Sequence, residues 1–385
     1  MAYDMEDLAM ADSNNRTIYV STIIDSHNYG TVLQAVATRD ILGRYGRPVF
    51  VDYCRPQWTR SGWAHQKMSG GRVNGFLKLA AGLGARLRSE RVFRPFIEGQ
   101  LSLCDAGPFL TGVGLDALDR DALFCVGSDQ TWNIECNDGI DPVYFLERIP
   151  DDRRKVAFAA SFGRPKLDDE EANLTRPLLS GFDAISVRER SSIDILDKMG
   201  IPGSVALKDP VLLCDENLWY RLSDCSRLPF DSGYVLLYML NPNPDMISYT
   251  VRVSKELGVR ACVVTFNPLR LPPHGLRAAC LPTPGEWLNL FRNAGLVVTD
   301  SFHGTCFSLL FNRPMVVFDP AKYSVRLHDV LSDFDLLDRR VLNSQDAFNR
   351  CVHRNPIEWR VVNEGLKLER TKAREFLDSA FSPAS

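Results

Sequence analysis

His303 stands where the chain offers a reacting group the best setting. It lies in the stretch 297–319, VVTDSFHGTCFSLLFNRPMVVFD. Residues 296–298 read as an apolar strand that breaks at Thr299-Asp300-Ser301. The turn carries His303-Gly304, a helix follows over 305–311, and a second strand covers 315–318. In an α/β protein such a turn lies at the carboxyl edge of a sheet, where ligands bind. It also meets a helix N-terminus, whose N–H groups and dipole favour anions. A histidine and two hydroxyls in that place suit proton transfer or the binding of a phosphorylated ligand. The competing interpretation is a capped helix with a structural histidine.

Other strand ends carry comparable groups. Arg188 follows a strand at 184–187 and precedes a helix at 193–199, with Ser191 or Ser192 expected as its cap. A guanidinium there can fork onto a carboxylate or phosphate; the neighbouring Arg190 fits a surface ion pair better. The strand at 122–126 runs into Gly127-Ser128-Asp129-Gln130-Thr131-Trp132-Asn133. Carboxylates and amides bind sugar hydroxyls and an aromatic face covers a sugar ring, so Ser128, Asp129, Gln130 and Trp132 are candidate sugar contacts; the alternative is a loop anchored by its tryptophan. The first strand, 17–24, leads into Asp25-Ser26-His27-Asn28-Tyr29-Gly30. Asn28 and Gly30 there either approach a ligand or simply make a turn. The loop is not GxGxxG, so no dinucleotide fingerprint is present. Cys306, three residues after His303, could act as a thiol nucleophile, but its place within an apolar helix favours a buried thiol.

The elements that must position these residues alternate between strand and helix through the chain. The 385 residues are enough for two or three domains. Residues 1–15 are expected to be a disordered lead. Residues 16–205 form a first Rossmann-like domain with a helical insertion at 55–110. Residues 206–355 form a second such domain, and 356–385 a closing helix and tail. Buried parallel strands read as near-continuous apolar runs, as in 17–24 and 234–240. A net charge of −3 gives no overall pull toward nucleic acid. Within the insertion, 74–98 has a basic polar face (Lys78, Arg86, Arg88, Arg91, Arg94) that could rest on an anionic membrane, although a solvated helix packed on the sheet is the simpler expectation. The 10 cysteines include no CxxC pair and mostly adjoin apolar residues; they read as reduced core thiols, and no metal site is expected. No signal peptide or membrane span is visible. The expectation is a cytoplasmic protein, with peripheral contact at the inner face of the membrane.

Five motifs occur in order: HNYGTVLQ at 27–34, GSDQTWN at 127–133, SVRERSS at 186–192, DPVLL at 209–213 and TDSFHGTCFSLLFNRP at 299–314. Together they resemble the polysaccharide pyruvyl transferase family over about residues 17–320. The resemblance implies a GT-B-like fold of two Rossmann-like, doubly wound lobes around a cleft. It implies transfer of pyruvyl from phosphoenolpyruvate to sugar hydroxyls, usually as a cyclic ketal, with phosphoenolpyruvate as co-substrate and no cofactor. His303 becomes the catalytic or donor-binding histidine, Arg188 the donor-binding arginine, and Ser301, Gly304 and Thr305 shape the donor pocket on the second domain. Asn28 and Gly30 fall with the donor group, and Ser128, Gln130, Trp132 and His27 with the acceptor group on the first. The acceptor is a glycan or a lipid-linked or nucleotide-linked sugar. Ketal formation needs protonation at C3 of the enol, attack at C2 and departure of phosphate, and a histidine near neutrality can serve these proton transfers. Asp129 is the expected acceptor-side base or hydroxyl anchor, with His27 as second choice. A nucleotide-sugar glycosyltransferase and a non-catalytic glycan-binding protein of the same fold are the alternatives.

Overall fold

The computed structural model describes residues 16–68, 72–224, 232–266, 272–320 and 324–382, with the backbone alone at 65–68, 72–82 and 324. The expected disordered lead at 1–15 lies outside these residues, as does the break expected at 69–71. The chain forms two compact units, one of Met1–Arg72, Ile97–Cys214 and Leu368–Ser385, the other of Val73–Phe96 and Asp215–Lys367.

In the first unit, strands β1 (Thr17–Ser21), β2 (Arg47–Asp52), β3 (Leu103–Asp105), β4 (Leu123–Val126), β5 (Lys155–Ala160), β6 (Ala184–Val187) and β7 (Val205–Ala206) make one sheet in the order β3-β2-β1-β4-β5-β6-β7. All of its pairings are parallel. Every residue of β4 and β5 is buried, as a sheet covered on both faces requires. β1 is shorter than its apolar run because its β4 neighbour stops. Val126 is the last residue paired with it, and beyond that the Thr22 hydroxyl donates to the Ser128 carbonyl at 2.7 Å. β3, which pairs with β2, falls inside the stretch expected to be helical; three residues are too few to show an alternation.

The helices of this unit that matter below are α1 (Tyr29–Leu42), α2 (Arg72–Gln100, divided between the units), α3 (Asp169–Leu179) and α4 (Arg190–Lys198). Asn28 caps α1 by accepting from the Gly30 N–H at 2.9 Å. On α2, Arg86 is spent on Glu90 at 2.9 Å, which removes one cation from the expected basic face. α4 begins three residues earlier than the apolar pattern suggests. Glu189 occupies its cap position, and Ser192 donates to that carboxylate at 3.4 Å rather than capping the helix itself.

In the second unit, β8 (Val235–Tyr238), β9 (Ala261–Thr265), β10 (Arg277–Cys280), β11 (Leu296–Thr299), β12 (Met315–Phe318) and β13 (Arg340–Val341) pair in the order β10-β9-β8-β11-β12-β13, again all parallel. The central strands β8, β11 and β12 are buried throughout. Helices α5 (Pro244–Glu256), α6 (Pro284–Asn293), α7 (Phe302–Leu310) and α8 (Ser324–Asp333) belong to this unit, while α9 (Trp359–Phe381) is divided between the units. α6 starts with a reciprocal capping box of Thr283 and Glu286. The fold class is the expected one: two α/β units, each with a parallel, doubly wound sheet in Rossmann order. No helix among the described residues is long and apolar enough to cross a membrane.

The expectation that cysteines are core thiols holds for Cys125, Cys214, Cys262 and Cys306 and fails for Cys54, Cys280 and Cys351, which are exposed. Burial pushes the Cys125 and Cys262 thiols up to about 12. Because the thiolate is the reactive form, Cys54, Cys280 and Cys351 are expected to alkylate first at pH 8, and Cys125 and Cys262 only on unfolding. Peptide mapping of the time course by mass spectrometry checks this.

Candidate functional site

A Rossmann-order sheet opens a crevice at the carboxyl ends of the two central strands, from which the chain winds in opposite directions. In the second unit those strands are β8 and β11, and the β11 end carries the histidine singled out above. Asp300 ties the two ends together. Its carboxylate accepts from the Leu240 N–H at 2.7 Å, the Asn241 N–H at 3.0 Å and the Asn241 side-chain amide at 3.1 Å. Ser301 caps α7, accepting from the Gly304 N–H at 3.2 Å. Burial raises the Tyr238 phenol, as does Asp300, while a hydrogen bond with Ser301 opposes them. His303 sits in the first turn of α7, 8% exposed. Its ring centroid is 5.1 Å from that of Phe302, and the Arg326 guanidinium of α8 stands 5.6 Å from the Phe302 ring centroid.

Two residues expected to touch a donor have other work here. Thr305 is fully buried and its hydroxyl donates to the Ser301 carbonyl at 3.1 Å. Gly304 is required by space: a Cβ there would meet Thr299 Oγ1 at 2.5 Å and Tyr238 Cδ1 at 3.1 Å. Both hold the turn that presents His303.

In the first unit the crevice lies at the ends of β1 and β4, and its centre is Asp129. This residue has φ +75° and bridges to Ala160. One carboxylate oxygen accepts from the Thr31 hydroxyl in the first turn of α1 at 2.8 Å; the other accepts from the Gln130 N–H at 2.9 Å and lies 3.8 Å from Arg188 Nη2. Arg188 is itself buried. Its Nη1 donates to Asp209 at 2.7 Å and its Nε to Glu189 at 3.3 Å. Ser161 donates to the same Glu189 oxygen at 2.7 Å, and Asp209 also caps the turn at Pro210–Leu213. Burial acts to lower the Arg188 guanidinium, but Glu189, Asp209 and Asp129 outweigh it and its pKa is raised. A second buried arginine, Arg55, pairs with Asp25 at 2.8 Å and reaches Asn137 at 2.9 Å, and it too feels the charge of Asp129.

The structure therefore brings Asn28, Gly30, Asp129 and Arg188 to one sheet edge, with half-buried His27 in the loop after β1. Arg188, expected to offer its fork to a donor, donates Nη1 to Asp209 and Nε to Glu189, with Nη2 3.8 Å from Asp129. Two expectations are corrected. Ser128, expected to meet an acceptor, is fully buried, with its carbonyl tied to Thr22. Trp132, expected to cover a sugar ring, is 1% exposed and packs against Phe145, Phe162 and Phe182, with its indole N–H donated to the Tyr144 carbonyl at 2.9 Å. An indole enclosed in this way has no free face to stack on. Trp132→Ala is expected to destabilise the first unit by about 3–5 kcal/mol, read in a urea titration. Gln130 is partly exposed but braces the loop: its side-chain oxygen accepts from Asn133 at 2.6 Å and Cys136 Sγ at 2.9 Å. Sequence reasoning gave no role to Asp209, Glu189, Asp25 or Arg55. The DPVLL motif that contains Asp209 was the available signal, since Asp before Pro marks a helix start.

A model of the family "Polysaccharide pyruvyl transferase" matches residues 28–322. The chain belongs to that family. No curated protein matches it in sequence. Solved structures show the fold at low identity. The UDP-N-acetylglucosamine 2-epimerase of Rickettsia bellii is 10% identical, with a TM-score of 0.53 over 96% of this chain and 97% of that one. The UDP-GlcNAc 2-epimerase of Neisseria meningitidis, solved bound to UDP-GlcNAc, is 11% identical, with a TM-score of 0.51 over 95% and 99%. The family match begins at the cap of α1 and runs past α7, so it includes Asp129, Arg188 and His303.

Proposed function

We propose that the chain transfers the pyruvyl group of phosphoenolpyruvate to sugar hydroxyls of a polysaccharide or its precursor, forming a cyclic ketal. The supporting observation is His303, held by a capped turn at the crevice of the second sheet, within a chain of the pyruvyl transferase family. C3 of the enol takes a proton and becomes a methyl carbon. A sugar hydroxyl oxygen bonds to C2, the C2–O bond to phosphate breaks, and a second hydroxyl closes the ring. Of the two hydroxyl protons lost, one balances that gained at C3 and the other leaves with phosphate. His303 serves the donor in the second unit, as proton donor or as partner of the departing phosphate. Asp129 serves hydroxyl groups in the first unit, as anchor or base. Arg188 acts as a positioning residue that fixes Asp129, Glu189 and Asp209.

The protein works without a redox cofactor in this scheme, and its acceptor is a glycan or a lipid-linked or nucleotide-linked sugar. The exposed cations Arg91 and Arg94 of α2 leave peripheral contact with an anionic membrane as part of the proposal; flotation with anionic liposomes at low salt tests it, and an unbound protein removes it. The structural likeness to an epimerase bound to UDP-GlcNAc keeps a nucleotide-sugar donor as the second reading. A donor panel separates the two. Phosphate release from phosphoenolpyruvate, with mass detection of pyruvyl on the acceptor, is the expected result. Turnover of nucleotide sugars with inert phosphoenolpyruvate would replace the proposal by the second reading.

A further inference from the structure

A cavity of about 480 Å³ lies in the first unit, and its lining includes none of the residues described at that unit's strand crevice. It is bounded by the loop before α3, the outer side of α3 and the second half of α4. The floor is apolar: Ile195 and Met199 are buried members of the core, and Leu167 packs against it. The rim is cationic. Lys166, Arg176 and Lys198 come from the loop, α3 and α4 respectively, all exposed and all lining the cavity. Among the described residues none of the three has its charged group in an ion pair or hydrogen bond. Other cations of this unit, such as Arg55, Lys155, Arg164 and Arg188, are paired with carboxylates. Asp169 is the carboxylate in the lining. Three cations and one carboxylate line the cavity, with exposed Asp168, Glu170, Asp194 and Asp197 on the same segments but outside the lining.

The volume falls within the ~300–1,000 Å³ of small-molecule sites, which join an apolar lining to a few convergent polar groups. A ligand that matches both parts needs an apolar body and an anionic group at one end. The anion would gain from charges that the protein leaves uncompensated, and the body from covering core side chains. We infer that this cavity binds a small anionic amphiphile, an alkyl or aryl phosphate monoester, at a site separate from the proposed transfer chemistry. The inference is independent of the pyruvyl transfer proposal.

Hexyl phosphate is the probe, titrated into the full chain by calorimetry, with hexyl glucoside and inorganic phosphate as half-ligands. Saturable one-to-one binding of hexyl phosphate is expected, with each half-ligand at least about tenfold weaker, a difference that needs only ~1.4 kcal/mol. Arg176→Glu and Lys198→Glu should each weaken hexyl phosphate about tenfold or more. Both residues are on the surface, where substitutions rarely shift stability by more than ~0.5 kcal/mol, and thermal melts confirm the fold of each variant. Equal binding of hexyl glucoside, unchanged affinity in the charge-reversed variants, or no binding of hexyl phosphate to the wild-type chain would overturn the inference. Phosphatidic acid vesicles form a separate arm. Capture by vesicles alone, with no affinity for the soluble ester, also overturns it, since it would make the rim a membrane contact rather than a ligand cavity.

Discussion

Alanine at His303 lowers phosphate release from phosphoenolpyruvate by about 10²–10⁴-fold, the loss expected when a positioned proton-transfer group is removed. The fold should survive the change. Alanine is the best helix former, and the contacts that shape the turn come from elsewhere: Asp300 joins the strand ends and Ser301 caps α7. The side chain lost is buried, and its ring contact is with neighbouring Phe302. Steady-state rates across the acceptor panel, with circular dichroism melts for each protein, check this. Rates within a few-fold of wild type in His303→Ala would leave the histidine structural and remove its assigned role. Arg326 offers a control from the same neighbourhood. If its cation beside Phe302 supports an anionic donor, Arg326→Ala should raise KM for phosphoenolpyruvate more than it lowers kcat.

The second large effect is on stability. Arg188→Ala leaves Asp209, Glu189 and Asp129 gathered at a buried site without the guanidinium that offsets their mutual repulsion. Removing one partner of a buried ion pair costs about 3–5 kcal/mol, and a chain with two compact units can lose one of them before the other. A urea transition assigned to the first unit should therefore move to much lower denaturant. Lysine restores a charge but not the fork that reaches two carboxylates, so Arg188→Lys should recover part of the loss. Its value is kinetic as well. If Arg188 positions Asp129, the folded Arg188→Lys protein keeps its KM for phosphoenolpyruvate and loses turnover on the acceptor side. A raised phosphoenolpyruvate KM with acceptor behaviour unchanged would instead restore Arg188 as a donor ligand. An Arg188→Ala protein within about 1 kcal/mol of wild type would show that the three carboxylates do not depend on the guanidinium for their place in the fold.

Much of the fold is written locally. The apolar runs at β4, β5, β8, β11 and β12 announce strands buried on both faces, and Asn28, Asp168, Thr283 and Ser301 announce helix starts. These signals depend on residues within a turn or two of one another, so a linear sequence carries them. His303 was legible for the same reason: strand, turn and helix are consecutive, and their order alone places the residue at a sheet edge. What the sequence does not carry is which strand lies beside which. β1 pairs with β4, residue 18 against residue 123, and this pairing brings Thr31 to Asp129. The β6 neighbourhood then sets Arg188 against Asp209 and Glu189, and so turns a candidate anion ligand into the centre of a buried ion cluster.

Burial of individual side chains is likewise a tertiary outcome. Trp132 stands in a polar loop, GSDQTWN, and reads as a ring offered to a sugar. Phe145, Phe162 and Phe182, from three later segments, close around it and make it core. The cavity ringed by Lys166, Arg176 and Lys198 could not be foreseen, because its cations come from a loop and two helices that meet only when the sheet is formed. The sequence by itself determined the class of the two units, the family and the turn that bears His303, since each follows from neighbours along the chain. The tertiary structure decided which polar groups are spent on one another and which are left for a ligand, because that depends on distances between residues far apart in sequence.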